Sequence, residues 1–328
     1  MRGGRDRVSV ALIAMGPMRA FAAPRSTLEV DVERLDTQVE AAIRAGAPRG
    51  LRVLGYGEIT LVIGWPTEDP VVAVKRLPPF VDSGQLEAYG RLLERYVQVL
   101  RERHIPVART ELLAHPGPNG SARGYLVQPL VRRERHLSVI LESASAAQVR
   151  ELLELVVDHV DRSVDHAVGL DAQASNWWFE NGELSYYDVS TPMLRNREGR
   201  EQLDVSLFLG VYPWLARPVL ARIAPSVMAQ YHDRRTVLLD FASNLHKEGL
   251  DHCVPALLHA ANGRLERPLL AADVSRYFRQ DKLLWEVMQR LRRTDQSWQR
   301  RVRHRPYPFL LPPPYRYGPS PRIKEHAR

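Results

Sequence analysis

The chain has 328 residues, of which 45% are hydrophobic and 26% charged, with a single cysteine, Cys253. That length and balance suit two packed lobes, and one cysteine excludes an internal disulfide framework and fits a reducing compartment. No apolar run approaches the roughly 20 residues of a bilayer-spanning helix, so a cytoplasmic protein with no membrane partner is expected.

The net charge of +8 is uneven. From Gln289 to the end there are 11 Arg plus Lys and 2 Asp plus Glu, a net of +9, which leaves the rest at −1. The high pI therefore describes the C-terminal end and not the body. Only four lysines stand against 42 arginines. A lysine in an apolar strand is then a selective choice, because a compact ammonium and a planar guanidinium do different work.

In chain order, residues 1–25 form a leader expected to be disordered. Its basic start, short apolar stretch and Ala-Phe-Ala-Ala end have the outline of a signal peptide, but Gly16, Pro17 and Arg19 interrupt it, and Met15 or Met18 offer later starts. A first lobe is expected over 26–130. Leu28, Val32, Leu35, Val39 and Ile43 fall at helical spacing from Ser26 to about Ala45. "RGLRVLGYGEITLVIGW" reads as two strands around a glycine-containing turn, and "DPVVAVKRL" as a third. A long helix follows, with Asp82 and Gln85 placed as a capping box. "TELLAHPGPNGSARGYLVQPLV" gives two more strands around a Pro/Gly loop.

The second lobe, expected over 131–290, is mainly helical. Val149, Leu152, Leu153, Val156, Val157 and Val160 mark one helix face. Asn181-Gly182 predicts a tight hairpin within "LDAQASNWWFENGELSYYDVS". "REQLDVSLFLGVYPWLARPVLARIA" and three later stretches read as helices. Residues 291–328 form a basic, Pro/Arg-rich tail. It reads either as a docked segment anchored by Tyr307, Phe309, Leu310 and Leu311, or as a nucleic-acid-binding arm. His104, His115 and His136 lack metal-ligand spacing.

Three clusters carry chemistry. Gly55 and Gly57 permit close backbone approach to phosphates. Lys75 lies in an apolar strand 18 residues after Gly57. Asp171, Asn176 and Asp188 bracket the hairpin, and of six asparagines only Asn176 has an aspartate five residues earlier. Phosphoryl transfer needs a carboxylate to accept a hydroxyl proton and oxygen ligands for Mg2+.

In this order and spacing the stretch from about 50 to 205 resembles the protein-kinase-like fold, nearest to the aminoglycoside and choline phosphotransferases. The resemblance implies an α+β, two-lobed fold with an antiparallel-sheet N-lobe and a helical C-lobe. It also implies ATP and Mg2+, with Asp171 as base, Asn176 and Asp188 as metal ligands, and Gly55 and Gly57 over the phosphates. Lys75 would hold the α- and β-phosphates, oriented by Glu94 or else Glu87. Adenine would meet the backbone from Gln128 to Leu130, and the acceptor would be a small-molecule hydroxyl or amine. Asp204, 16 residues after Asp188, is placed as a structural aspartate.

Several positions depart from the family. Gly169 stands where histidine is usual, Gln173 where protein kinases keep a lysine, and Val189-Ser190 where Phe-Gly follows the metal aspartate. They keep open a non-catalytic, pseudokinase-like binding or scaffold module, and a nucleic-acid adaptor acting through the tail.

Overall fold

The computed structural model describes residues 30–56, 61–210, 212–307 and 309–311. The leader, Gly57 with the rest of the glycine turn, and the tail beyond 311 lie outside the described residues.

The first lobe is a five-stranded antiparallel sheet of order β1-β2-β3-β5-β4, formed by β1 (Arg52–Tyr56), β2 (Leu61–Trp65), β3 (Val72–Arg76), β4 (Glu111–Pro116) and β5 (Ala122–Pro129). Helix α1 (Val32–Ala45) covers one face. It begins at Val32, where Asp31 is extended and its carboxylate caps the Arg34 N–H at 3.0 Å, while residues 26–29 of the expected helix lie outside the described residues. Leu35, Val39 and Ile43 bury against Ile63, Val72, Val74, Tyr125 and Val127. Asp36, buried on the same helix, accepts from the Tyr125 hydroxyl at 2.6 Å and from Arg123 at 2.5 Å, which fixes the helix to the sheet.

Helix α2 (Ser83–Glu102) covers the other face through Leu86, Tyr89, Leu93, Tyr96 and Leu100. Asp82 caps the Gln85 N–H at 2.8 Å, while the Gln85 side chain reaches past the cap to the Val81 N–H at 2.8 Å. The expected box is thus present in a form displaced by one residue.

The second lobe is mostly helical: α3 (Leu137–Ser143), α4 (Ala146–Ser163), α5 (Ser206–Leu209), α6 (Arg217–Ala229), α7 (Arg234–Lys247), α8 (Val254–Asn262) and α9 (Ala271–Arg301). All six apolar positions read on α4 are buried. The hairpin of β6 (Trp177–Glu180) and β7 (Glu183–Tyr186) turns on Asn181 and Gly182, with φ of 53° and 81°. Both central residues are left-handed, as a primed two-residue turn requires. The fold is therefore α+β, with an antiparallel-sheet lobe ahead of a mostly helical one.

Two helix boundaries differ from the sequence reading. The helix expected across 200–224 is divided into α5 and α6, and Pro213 stands in the gap, where it offers no N–H to a continuing helix. Helix α9 runs to Arg301, well into the stretch expected as tail. Beyond it the chain docks. Tyr307 (1% exposed) and Phe309 (8%) pack with Tyr212 and Leu311, and Leu310 joins the cluster between α1 and the sheet. The Arg300 guanidinium sits against Gly46 at the end of α1. The C-terminal segment thus touches both lobes.

Burying one such aromatic contributes about 1.5–3 kcal/mol. A chain ended after Arg305 should therefore lose about 3–6 kcal/mol in equilibrium urea unfolding. A loss below about 1 kcal/mol would show that the segment is not docked.

Candidate active site

The site starts from strand alternation. Successive side chains of a strand point to opposite faces. On β3, Val72 and Val74 face α1, so Lys75 emerges on the opposite face. There its ammonium lies 2.8 Å from Asp188 Oδ1 and donates to Ser190 Oγ at 3.1 Å. Ser190 closes the group: its N–H and its hydroxyl donate to Asp188 Oδ1 at 3.0 and 2.6 Å. Burial works to raise the Asp188 carboxyl, but the Lys75 charge and the hydrogen bonds from Lys75 and Ser190 outweigh it and hold the group below the usual carboxylate range. Asp188 is therefore ionised at neutral pH.

The loop from Leu170 to Asn176 is held by its backbone. Leu170 N–H donates to Tyr231 O at 3.1 Å, and Gly169 N–H to Met193 O at 2.9 Å. Three polar side chains converge on the carbonyls: Tyr96 on Gly169 at 2.9 Å, Tyr186 on Asp171 at 3.2 Å, and Asn176 Nδ2 on Asp171 at 3.1 Å. The unusual glycine has a steric cause. A side chain at 169 would meet Met193 Cβ and the Tyr231 carbonyl at 3.0 Å and the His232 ring at 3.2 Å. His232, itself buried and 3.3 Å from Glu201, puts an imidazole beside that space from elsewhere in the chain.

The Asp171 carboxylate accepts from the Gln173 N–H at 3.3 Å and from the Gln173 amide at 3.2 Å. So Gln173, at the family's lysine position, holds the carboxylate itself. Asn176 is buried, and its carbonyl accepts the Tyr187 N–H at 2.8 Å, which ties the loop to the residue before Asp188. With Asn176 Nδ2 committed to Asp171, its Oδ1 has no donor among the described residues, and neither has Asp188 Oδ2. These two spare oxygens are the donors a hard divalent cation could take, with water completing its shell. Among the described residues, no three His, Cys, Asp or Glu side chains gather to hold a metal by themselves.

Other expected residues stand apart. Lys75 pairs with Asp188; among the described residues it forms no ion pair with Glu94 or Glu87, and Glu87 lies 3.9 Å from Arg91 one helical turn on. Charge compensation explains the difference, since Asp188 already satisfies the ammonium. Gln128 turns its side chain to Thr110 Oγ1 and Tyr187 O at 2.9 and 2.7 Å. The Leu130 N–H is committed to Val71 O at 3.2 Å, so it is not open to a base edge. Gly55 lies on β1 beside a bulge, with open space where a side chain would project. Gly57 falls outside the described residues. Asp204 accepts from Gln85 on α2 at 2.8 Å and caps the Ser206 N–H at 3.0 Å.

Sequence reading missed three residues that build the site. Ser190 was noticed only as a departure. Tyr89 on α2 donates to Ser190 O at 2.8 Å, so α2 reaches the lysine through a tyrosine and a serine. Glu248, just after α7, brings a carboxylate beside Ser175, and its Oε2 is buried with no hydrogen-bond partner among the described residues. A tyrosine at a buried helical position and a glutamate past a helix end carry no distinguishing sequence signal.

Fold and site together define the class: a two-lobed α+β protein whose lobes meet at a Lys–Asp pair beside an Asp/Asn loop. The chain belongs to a family of unknown function (DUF6206), whose model matches residues 34–296. Among solved structures it is similar to one described as WaaP in complex with acyl carrier protein, at 14% identity and a TM-score of 0.36, over 82% of this chain and 98% of that one. No curated protein matches it. Among the described residues, no helix is long and apolar enough to cross a membrane.

Burial raises the Glu248 carboxyl to about 7, against the hydrogen bonds from Ser175 and the charge of Lys247. A carboxyl raised in the folded state binds a proton that the unfolded chain, titrating near ~4.3, has lost. Stability therefore falls as pH climbs from about 4.3 to 7. Asp240, raised to about 6 chiefly by burial, acts in the same sense. Glu248→Gln should flatten, without abolishing, the decline in urea midpoint between pH 5 and 8. An unchanged slope would show that Glu248 is ionised throughout.

Proposed function

We propose that this chain is an ATP- and Mg2+-dependent phosphotransferase whose acceptor is a hydroxyl or amine of a small molecule. The observation that carries the reading is the 2.8 Å Lys75–Asp188 pair, joining a strand lysine of one lobe to the aspartate that follows the hairpin of the other. A partly buried lysine that selects phosphate and a carboxylate that selects a hard cation are the two halves of a metal–nucleotide site.

The roles follow from the donors. Lys75 would move from Asp188 to the α- and β-phosphates once a cation takes its place on the carboxylate. Asn176 Oδ1 and Asp188 Oδ2 would ligate that cation, and bound Mg2+ would offset charge on the transferred phosphoryl group. Asp171 would accept the acceptor's proton as its oxygen or nitrogen forms a bond to the γ-phosphorus and the bond to the β–γ bridging oxygen breaks, giving ADP. Gln173, which donates to both Asp171 oxygens, would keep the carboxylate oriented for the acceptor. Gly55 would let phosphates approach β1. Because the Leu130 N–H is engaged, adenine recognition would fall on other polar atoms of the 128–130 segment.

A binding-only reading has one observation in its favour, the Gln173 amide on the candidate base. Titration of the full chain with ATP in a calorimeter, with and without Mg2+, separates the possibilities. The parent should bind more tightly with Mg2+, and Asp188→Ala should lose that dependence. Asp171→Asn should still bind Mg2+–ATP but lose about 10²–10⁴-fold in ADP release with a hydroxyl or amine acceptor. Absence of Mg2+-dependent binding by the parent would remove the proposal. Equal ADP release by parent and Asp171→Asn would leave only binding.

A further inference from the structure

The β6–β7 hairpin has a second face. Trp177, Leu184 and Tyr186 point into the core. Alternation then sends Trp178, Glu180, Glu183 and Ser185 the other way, and all four line a cavity of about 580 Å3. Its remaining walls come from the end of α2, the 106–109 segment and the 129–135 connection between the lobes. Lys75, Asp171, Asn176 and Asp188 are not among its walls. The floor is built backbone: Tyr186 N–H donates to Pro106 O at 2.7 Å and Ala108 N–H to Tyr186 O at 2.9 Å, so 106–108 joins the hairpin through one parallel bridge at Val107.

Four arginines line it, Arg101, Arg109, Arg132 and Arg135, against Glu180 and Glu183. Arg135 pairs with Glu180, and Arg109 reaches Glu111 at 2.5 Å. With Glu111 counted beside Arg109, four guanidiniums meet three carboxylates, and Arg101 and Arg132 are the two without an ion pair among the described residues. Pro106, Val107 and Val131 give it apolar wall, and Trp178 adds an aromatic ring.

We propose that this cavity is a second ligand site, which takes a small organic phosphate monoester. The dianion suits the two guanidiniums without an ion pair, Arg101 and Arg132, and guanidinium forks match phosphate oxygens two at a time. The apolar wall and the indole suit a compact nonpolar or aromatic body. A volume inside the range of about 300–1,000 Å3 favours a small molecule over a polymer, which would need a basic stripe in place of a concavity. The site stands whether or not the chain transfers phosphate, since it uses none of Lys75, Asp171, Asn176 and Asp188 and shares only Pro129 and Leu130 of the connecting segment.

Phenyl phosphate is a suitable probe, with inorganic phosphate and phenol as its two halves. Calorimetry on the full chain, with Mg2+–ATP present to fill the interlobe site, should show saturable one-to-one binding of phenyl phosphate. Arg101→Ala and Arg132→Ala, both at exposed positions, should each weaken it about tenfold or more. Trp178→Ala should weaken phenyl phosphate more than inorganic phosphate, and Asp188→Ala should change neither. Absence of saturable binding, binding indifferent to both arginine variants, or binding abolished by Asp188→Ala would each overturn the proposal. If Mg2+–ATP binding fails while phenyl phosphate still binds, the phosphotransferase reading falls and this one stands.

Discussion

Lys75 and Asp188 are drawn together because each is costly to bury alone. An ammonium on the inner face of a sheet and a carboxylate at the base of a hairpin both lose water when the lobes meet, and each supplies what the other lost. Much of the surrounding structure serves this contact. Strand alternation on β3 aims the lysine, the tight Asn181-Gly182 turn brings the aspartate back, and Ser190 fills the remaining valence of Asp188 Oδ1. Tyr89 then fixes Ser190 from α2, so one partly buried ion pair is braced by both lobes. A pair with this geometry is a poor source of net stability.

What was legible in the sequence is what local periodicity encodes. The five strands, α2, α4 and the hairpin follow from spacing of two or 3.6 and from turn residues with few alternatives. Lys75, Asp171, Asn176 and Asp188 stood out because lysine and asparagine are scarce in this chain and their order along it is constrained. The partner of Lys75 was not legible. Glu94 and Glu87 are both plausible on a helical wheel, but a wheel says nothing about whether a nearer carboxylate already neutralises the lysine. Gly169 was similarly opaque, because what forbids a side chain there comes from Met193, Tyr231 and His232, between 24 and 63 positions away. The break between α5 and α6 has a local cause, Pro213, whose missing N–H cannot continue a helix whatever the apolar periodicity on either side.

The aromatic-rich hairpin has two faces with different duties. Its inner face packs Trp177 and Tyr186 beneath the Asp171 loop, where the Trp177 indole N–H donates to Ala172 O at 3.2 Å and the Tyr186 hydroxyl to Asp171 O at 3.2 Å. Its outer face turns Trp178 toward four arginines. One short element thus sets the position of the candidate catalytic loop and forms the wall of a separate basic cavity. The C-terminal segment adds a further constraint, since Tyr307, Phe309 and Leu310 bind across the lobes that the Lys75–Asp188 pair also joins.

The most direct test of the central claim is anomalous scattering from crystals of the full chain grown with Mn2+ and a non-hydrolysable ATP analogue. The account predicts one Mn2+ about 2.0–2.2 Å from Asn176 Oδ1 and Asp188 Oδ2, close to the distances of a hard octahedral cation. It also predicts that Lys75 Nζ has left Asp188 for the nucleotide phosphates. Manganese bound elsewhere, or a nucleotide bound while Lys75 stays on Asp188, would contradict it.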